Sequence, residues 1–297
     1  MLGDEAKYKR EMEGKNMVFK NFKTIVRFLF VTKWRSEETK RIVNADYCLP
    51  YIEMRITTRC NMKCKHCGHL IPSYGENASD MTFEDFKKHF DHLVNAVSFI
   101  KVISLVGGET PLSRYLPDIV KYVLESHKVG EIRIVSNGKE IPSQDLLKLI
   151  GNTRVVMHFS QYEMNKENYP VIRDLCQRYH VQTFFYHDEP SKQFWYDYGE
   201  IKNYGYTQIM MTCMSYDCYL GGAKQYTNGK LFLCPRLSNA YDLKLIDFPE
   251  SDLLEITDDV EESRKNIKKF YNRKYSYGCR YCNAPEKRKI KMAEQLE

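Results

Sequence analysis

The chain has no long hydrophobic run, no marked excess of charge and few residues that break regular structure. No segment reaches about eighteen uninterrupted apolar residues, which excludes a membrane-spanning helix. The 45 basic side chains exceed the 39 acidic ones by only six, and the central chain has no basic run interleaved with aromatic residues, so we expect no nucleic-acid partner. With 43% apolar residues, 15 glycines and 10 prolines in 297 residues, collagen-like and disordered chains are excluded.

Cysteine, in contrast, is abundant and unevenly placed. The first residues, MLGDEAKYKR, lack the apolar stretch and cleavage site of a signal peptide, so we expect a cytoplasmic protein. In the cytoplasm, clustered cysteines more often bind a metal or take part in chemistry than form disulfides. Three of the ten fall close together and five lie late in the chain, whereas Cys48 and Cys176 stand alone and the latter is expected in the core.

Between residues 51 and 212, β-branched runs alternate with amphipathic stretches, the pattern of repeated βα units. This region is too short for a closed eightfold barrel, which takes about 250 residues. We therefore predict an α/β fold with a partial (β/α)6 barrel. The predicted strands are 51–57, 101–106, 131–136, 154–160, 181–187 and 207–212, and the predicted helices begin near Phe83, Leu116, Ser143 and Val171.

The two ends of the chain differ from this pattern. Residues 1–50 contain a basic amphipathic segment, which is expected either to pack over the barrel or a dimer partner, or to lie on an anionic membrane surface. Residues 213–297 are predicted to form a small second domain. Within it, Asn228 and Gly229 favour a tight hairpin between QYT and KLFLC, because both residue types tolerate positive φ.

The sequence TTRCNMKCKHCGHL follows the first predicted strand and contains Cys60, Cys64 and Cys67. Three thiolates from one loop can hold three irons of a cubane iron–sulfur cluster and leave the fourth iron open. Structural zinc generally takes four protein ligands, usually as two CxxC-type pairs. From spacing alone, zinc remains an alternative.

With a CX3CX2C loop after the first strand of a six-unit barrel, the sequence resembles the radical S-adenosylmethionine (AdoMet) superfamily. The resemblance implies a [4Fe–4S] cluster whose open iron chelates the amino and carboxylate groups of AdoMet. The family usually has an aromatic residue before the third cysteine, near the adenine, where this chain has His66. The resemblance also implies that the segment Gly107, Gly108 and Glu109 contacts the methionyl amino group.

Two further strand ends match family positions that contact the ribose or the methionyl part of AdoMet. Ser136 and Asn137 follow the third predicted strand, and His158 and Ser160 end the fourth. The structural alternatives are a turn for Asn137 and an inward polar side chain for Ser160.

The C-terminal cysteines form a second group, composed of Cys218, Cys234, Cys279 and Cys282. Four thiolates would make a closed site suited to electron transfer. The spacing CX10GX4C and the later CxxC pair resemble the twitch domain, a shortened relative of the SPASM domain, which implies one auxiliary [4Fe–4S] cluster. Zinc is the alternative here as well.

The resemblance implies an oxidoreductase that uses a 5′-deoxyadenosyl radical to abstract a hydrogen atom. We expect it to dehydrogenate a secondary alcohol of a sugar or aminocyclitol, with the auxiliary cluster as electron acceptor and an electron donor such as flavodoxin or ferredoxin. Candidates for the base are His158, Tyr186 and His187. A peptide maturase that cross-links or epimerises, with Cys213 as a hydrogen donor, is the alternative enzyme, and a non-catalytic zinc-binding protein is the alternative from another class.

Overall fold

The computed structural model describes residues 43–44, 46–186, 194–205, 223–247, 249–273, 276–286 and 288–296. These residues belong to one unit that spans residues 39–297. The predicted strand 207–212, almost all of the basic N-terminal segment and three candidate site residues lie outside the described part. The three residues are His187, Cys213 and Cys218.

A parallel sheet forms the centre of the fold. Its strands are β1 (Cys48–Leu49), β2 (Ile52–Thr57), β3 (Phe99–Gly107), β4 (Val129–Ser136), β5 (Val155–Ser160) and β6 (Gln182–Tyr186). Strands β2 to β6 are neighbours in chain order and parallel, and β1 pairs with the start of β3. The first five predicted strands are therefore confirmed. All six residues of β2 are buried, as expected for a strand covered on both faces.

Helices connect successive strands of this sheet: α1 (Phe83–Ala96), α2 (Leu116–Glu125), α3 (Gln144–Ile150) and α4 (Asn168–Arg178). Helix α1 begins after Thr82, whose side chain accepts a hydrogen bond from the Asp85 amide at 3.1 Å. Its buried face carries Phe86, Phe90 and Leu93, with the spacing of three and four that places residues on one side of a helix. Helix α4 begins three residues before the predicted start, because its first turn accommodates Pro170.

The C-terminal part adds strands to the same sheet. Strands β8 (Gln225–Thr227) and β9 (Lys230–Phe232) form the predicted hairpin, with positive φ at Asn228 and Gly229. Strand β8 pairs in parallel with β2, and β10 (Leu254–Glu255) pairs with β9, so the hairpin extends the main sheet. Helices α5 (Pro235–Asp242) and α6 (Val260–Tyr271) flank it, and β7 (Phe194–Tyr196) pairs with β11 (Lys289–Lys291) in a separate antiparallel ribbon.

In the part of the chain that the structure describes, no helix combines the length and the apolar character needed to cross a membrane.

Candidate active site

The loop after β2 brings the three early cysteines to one cavity. Cys60, Cys64 and Cys67 all line a cavity of about 390 Å³ at the carboxyl ends of the parallel strands. None of the three forms a disulfide. The amide of Cys67 donates to the Cys64 carbonyl at 3.2 Å, so the second and third cysteines lie on one tight turn. The volume is in the range of about 300–1,000 Å³ that is typical of small-molecule sites.

Burial keeps these thiols protonated when nothing is bound. Loss of water raises the pKa of Cys60 to about 11 and raises the pKa of Cys64 and Cys67 as well. Binding of a metal centre would therefore release protons from the loop.

The structure allows a test of whether this loop fits an iron–sulfur cluster. Within the described residues, no three His, Cys, Asp or Glu side chains are placed to hold a single metal ion. A [4Fe–4S] cluster, in contrast, takes one thiolate on each iron. The donor set of three reduced thiols on one cavity wall fits such a cluster with one iron left for another ligand.

The glycine segment after β3 is fixed against the cysteine loop. The Gly108 amide donates to the Thr57 carbonyl at 3.1 Å, and the Glu109 amide donates to the Arg59 carbonyl at 2.8 Å. A Cβ atom on Gly108 would lie 2.2 Å from the Arg59 oxygen and 2.9 Å from the Cys60 Cβ. Glycine at this position thus lets the segment after β3 approach the backbone of the cysteine loop more closely than any residue with a Cβ atom would.

Glu109 has no exposed surface, and its carboxylate binds the loop after β4. It accepts hydrogen bonds from the Ser136 hydroxyl at 2.5 Å and from the Asn137 amide at 2.7 Å. Burial raises the pKa of Glu109 to about 7, and these two hydrogen bonds oppose the rise. Gly107 and Gly108 line the cavity, whereas Glu109 lies behind them, and its contact with a methionyl amino group stays a prediction.

Ser136, Asn137 and Ser160 line the same cavity. The side-chain amide of Asn137 donates to Asn61 at 2.9 Å and lies 3.9 Å from the Cys60 sulfur. Asn137 therefore connects the end of β4 to the cysteine loop.

The histidines near the loop differ in position. His66, the predicted neighbour of an adenine, is half-buried and is absent from the cavity wall, whereas His69 is on it. Burial lowers the pKa of His69 to about 4, so this ring is neutral at pH 7. His69 was not predicted, because a lone histidine after the motif carries no spacing signal.

One candidate pair for proton transfer lies at the ends of β5 and β6. The Nδ1 atom of His158 is hydrogen-bonded to the Tyr186 hydroxyl at 2.8 Å. Tyr186 lines the cavity, and His158 is buried behind it. The structure thus brings together two of the four catalytic candidates, and the other two lie outside the described residues.

Among the C-terminal cysteines, Cys234 and Cys279 lie in one buried cluster with Leu237, Ala240 and Ile246. Cys282 lies one turn beyond, since its amide donates to the Cys279 carbonyl at 3.3 Å. Three of the four predicted ligands of a second cluster are therefore in one region of the structure.

Residues 54–185 match the family model described as the Radical SAM superfamily. This segment is a radical SAM domain.

Two curated relatives are similar to about a third of the chain. The chain is 27% identical over 94 residues to GTP 3′,8-cyclase from Syntrophomonas wolfei, in an alignment that covers 30% of this chain and 27% of the relative. It is 27% identical over 104 residues to the enzyme of that name from Psychromonas ingrahamii, which covers 34% of this chain and 30% of the relative. The chain thus spans less than a third of the length of these curated relatives.

Among solved structures, BtrN in complex with AdoMet and 2-DOIA is similar. It has 14% sequence identity and a TM-score of 0.48, and the match covers 80% of this chain and 94% of BtrN.

A contact that the sequence did not predict covers the cysteine loop of the radical SAM domain. Residues 293–296 run beside the loop: the Lys65 amide donates to the Glu294 carbonyl at 2.7 Å, and the Leu296 amide donates to the Lys63 carbonyl at 2.8 Å. The side-chain amide of Gln295 donates to the Cys64 sulfur at 3.3 Å. Because this pairing joins residues more than 200 positions apart, no local pattern indicates it.

Proposed function

We propose that the protein is a radical SAM oxidoreductase that dehydrogenates a secondary alcohol of a sugar or aminocyclitol. One observation carries the proposal: the three cysteines, the two glycines after β3 and polar side chains of the sheet interior all line a single cavity. A radical formed at the loop would therefore meet a polar substrate in the same cavity.

In this proposal Cys60, Cys64 and Cys67 hold a [4Fe–4S] cluster with one open iron. When bound, this cluster and AdoMet supply a 5′-deoxyadenosyl radical that takes a hydrogen atom from substrate carbon. The chain provides the walls of the site. Gly107 and Gly108 let a ligand approach the backbone, and Asn137 presents its side-chain amide beside the loop.

Aromatic residues form part of the wall of this space. Tyr162 and Trp195 pack edge to face, with ring centroids 5.8 Å apart, and both line the cavity. They also pack against Met62 and Cys64 beside the loop. Excluding water protects a reactive carbon radical from side reactions.

Oxidation of an alcohol to a ketone also releases the hydroxyl proton. We assign the acceptance of this proton to the pair His158 and Tyr186. Tyr186 lines the cavity, and its hydroxyl is hydrogen-bonded to His158 Nδ1 at 2.8 Å. The Tyr186 oxygen can take up the substrate proton as its own hydroxyl proton passes to His158 Nδ1, in the tautomer in which this nitrogen carries no proton.

The second electron of the oxidation needs an acceptor. We assign this to an auxiliary [4Fe–4S] cluster on Cys218, Cys234, Cys279 and Cys282, supported by the shared buried cluster of Cys234 and Cys279. An external one-electron donor such as flavodoxin or ferredoxin would reduce the first cluster.

Anaerobic reconstitution with iron and sulfide tests the metal part of the proposal. We expect about eight irons per chain, four for each cluster. The pair Cys279→Ala and Cys282→Ala should lower this to about four, and Cys48→Ala is the matched control that should change nothing. Bound zinc without acid-labile sulfide would contradict the proposal.

Product analysis tests the reaction. With AdoMet and a reductant, the reconstituted protein should release 5′-deoxyadenosine, and with an aminocyclitol it should also give a carbonyl product, detected by mass spectrometry. If no deoxyadenosine forms despite a full iron content, the proposed chemistry is wrong. Solvent deuterium incorporated at one carbon of a peptide would instead indicate an epimerase.

A further inference from the structure

Four polar side chains form a row across adjacent parallel strands inside the sheet. In the register of the strands Gln225 on β8 pairs with Glu53 on β2, Glu53 pairs with Ser104 on β3, and Ser104 pairs with Arg133 on β4. Residues paired across parallel strands project from the same face. The row therefore crosses the interior face at one level.

This row has unused hydrogen-bonding capacity. Oε1 of Glu53 accepts from the Tyr51 hydroxyl at 2.9 Å, whereas Oε2 has no partner among the described residues. The Ser104 hydroxyl and both polar atoms of the Gln225 side chain make no hydrogen bond of good geometry in that part of the chain, although Gln225 lies close enough to Glu53, and Ser104 close enough to Tyr51, to lower the pKa values of these two groups. Ser104 and Gln225 are fully buried and Glu53 is 7% exposed. Buried polar groups are normally well paired, so Glu53 and Ser104 retain hydrogen-bonding capacity that a ligand in the cavity can use.

Three residues of the row line the cavity that contains the cysteine loop. Glu53, Ser104 and Arg133 line the same cavity as the three cysteines, as do Tyr51 and Tyr186. A molecule bound on the row would therefore lie in the space where the proposed radical forms.

The hydrogen-bond donors and acceptors of the row indicate the kind of ligand that it can bind. A carboxylate oxygen accepts hydrogen bonds, a serine hydroxyl donates and accepts, and a glutamine amide does both. Hydroxyl and amino groups complement this set. An anionic group does not once Glu53 is ionised, because it would meet the carboxylate and because Arg133, the nearby cation, already pairs with Glu131 and lies over the Tyr51 ring.

We propose that Glu53 and Ser104 bind neighbouring hydroxyl or amino groups of the substrate, which is a small polyhydroxylated molecule without a phosphate. The inference rests on the proposed function, since it assigns the substrate end of that same cavity. Glu53 and Ser104 are then specificity-determining residues, in direct contact with substrate.

Calorimetric titration of the reconstituted protein in the presence of AdoMet tests this. The probes are myo-inositol, which offers only hydroxyl groups, glucosamine, which adds an ammonium, and glucose 6-phosphate as the anionic comparison. We expect one of the first two to bind and the phosphate not to bind. At pH 8, Glu53→Gln replaces a carboxylate acceptor by a weaker neutral amide, and Ser104→Ala removes a hydroxyl partner, so each should weaken binding about tenfold.

The control is Gln182→Ala, an exposed polar side chain on β6 whose loss should leave the affinity unchanged. Circular dichroism checks the folding of each variant, and Ser104→Ala serves if Glu53→Gln does not fold. Preferential binding of glucose 6-phosphate, or equal affinities in wild type and variants, would overturn the inference. Wild type that forms deoxyadenosine but binds neither neutral nor cationic probe overturns this inference alone, whereas absence of deoxyadenosine overturns the proposed function.

Discussion

Replacing Gly108 by alanine should separate two loops that the site needs together. The added Cβ would lie 2.2 Å from the Arg59 carbonyl oxygen, and an ordinary contact begins near 3.4 Å. Relief requires a movement of about 1.2 Å, the difference between these two distances. Such a shift would break the 2.8 Å hydrogen bond from the Glu109 amide to the Arg59 carbonyl.

The expected cost follows from those two changes. Overpacking in a filled region costs about 1–3 kcal/mol, and the net loss of one hydrogen bond costs about 0.5–1.5 kcal/mol. Gly108→Ala should therefore lower the free energy of unfolding by about 2–4 kcal/mol. Because Cys60 follows Arg59 directly, the same movement displaces the first cysteine, and the iron content after reconstitution should fall by about half.

Urea denaturation of the metal-free protein and iron analysis after reconstitution measure these two effects. Gly130→Ala is the matched control, since its Cβ would lie 2.5 Å from the Lys101 carbonyl near the start of β4, away from the cysteine loop. It should lose comparable stability and keep its iron. If Gly108→Ala is as stable as wild type, or if both variants lose iron equally, the two loops are not coupled as the geometry implies.

Three further predictions concern other parts of the structure. Gln295→Leu removes the donor to the Cys64 sulfur, so the reduction potential of the reconstituted cluster should fall by about 50 mV in an EPR-monitored titration, and an unchanged potential would show that the contact is irrelevant. Arg55→Met removes a buried cation from Asp242, which is one-third exposed, and should cost about 2–3 kcal/mol in urea denaturation; a loss below about 1 kcal/mol would contradict this pairing. Burial raises the pKa of Glu53 from 4.5 to about 7, so the folded state holds this proton more tightly and loses stability as pH rises through that interval. Relative to Glu53→Gln, metal-free wild type should lose about 3 kcal/mol between pH 4.5 and 8, and parallel pH profiles would refute the assignment.

The alternation of strands and helices could be predicted because each element carries its own periodic signal. The apolar spacing of α1 and the capping side chain of Thr82 are both local signals, and the helix begins at Phe83 as predicted. The positive φ values of Asn228 and Gly229 are likewise set by the two residues themselves. What these signals share is that they depend on contacts within a few positions.

The remaining features depend on pairing between distant segments. The hairpin was predicted, but not the pairing of Gln225 with Glu53 that adds it to the main sheet. The hydrogen bond from Gln295 to the Cys64 sulfur likewise joins residues that are far apart in the sequence. Glu53 carried no motif, and its role emerges only when the register places it beside Ser104 at a cavity.

Glu109 shows how a family expectation and this geometry can be reconciled. A carboxylate offers about four acceptor positions, and two are used here by the Ser136 hydroxyl and the Asn137 amide. Positions therefore remain for an ammonium group, although the side chain has no exposed surface. Its chain neighbour Gly108 and its hydrogen-bond partners Ser136 and Asn137 all line the cavity, so the carboxylate lies directly behind the wall. Since an added Cβ at Gly108 would displace the cysteine loop, the position of the thiols and the wall in front of the carboxylate depend on the same glycine.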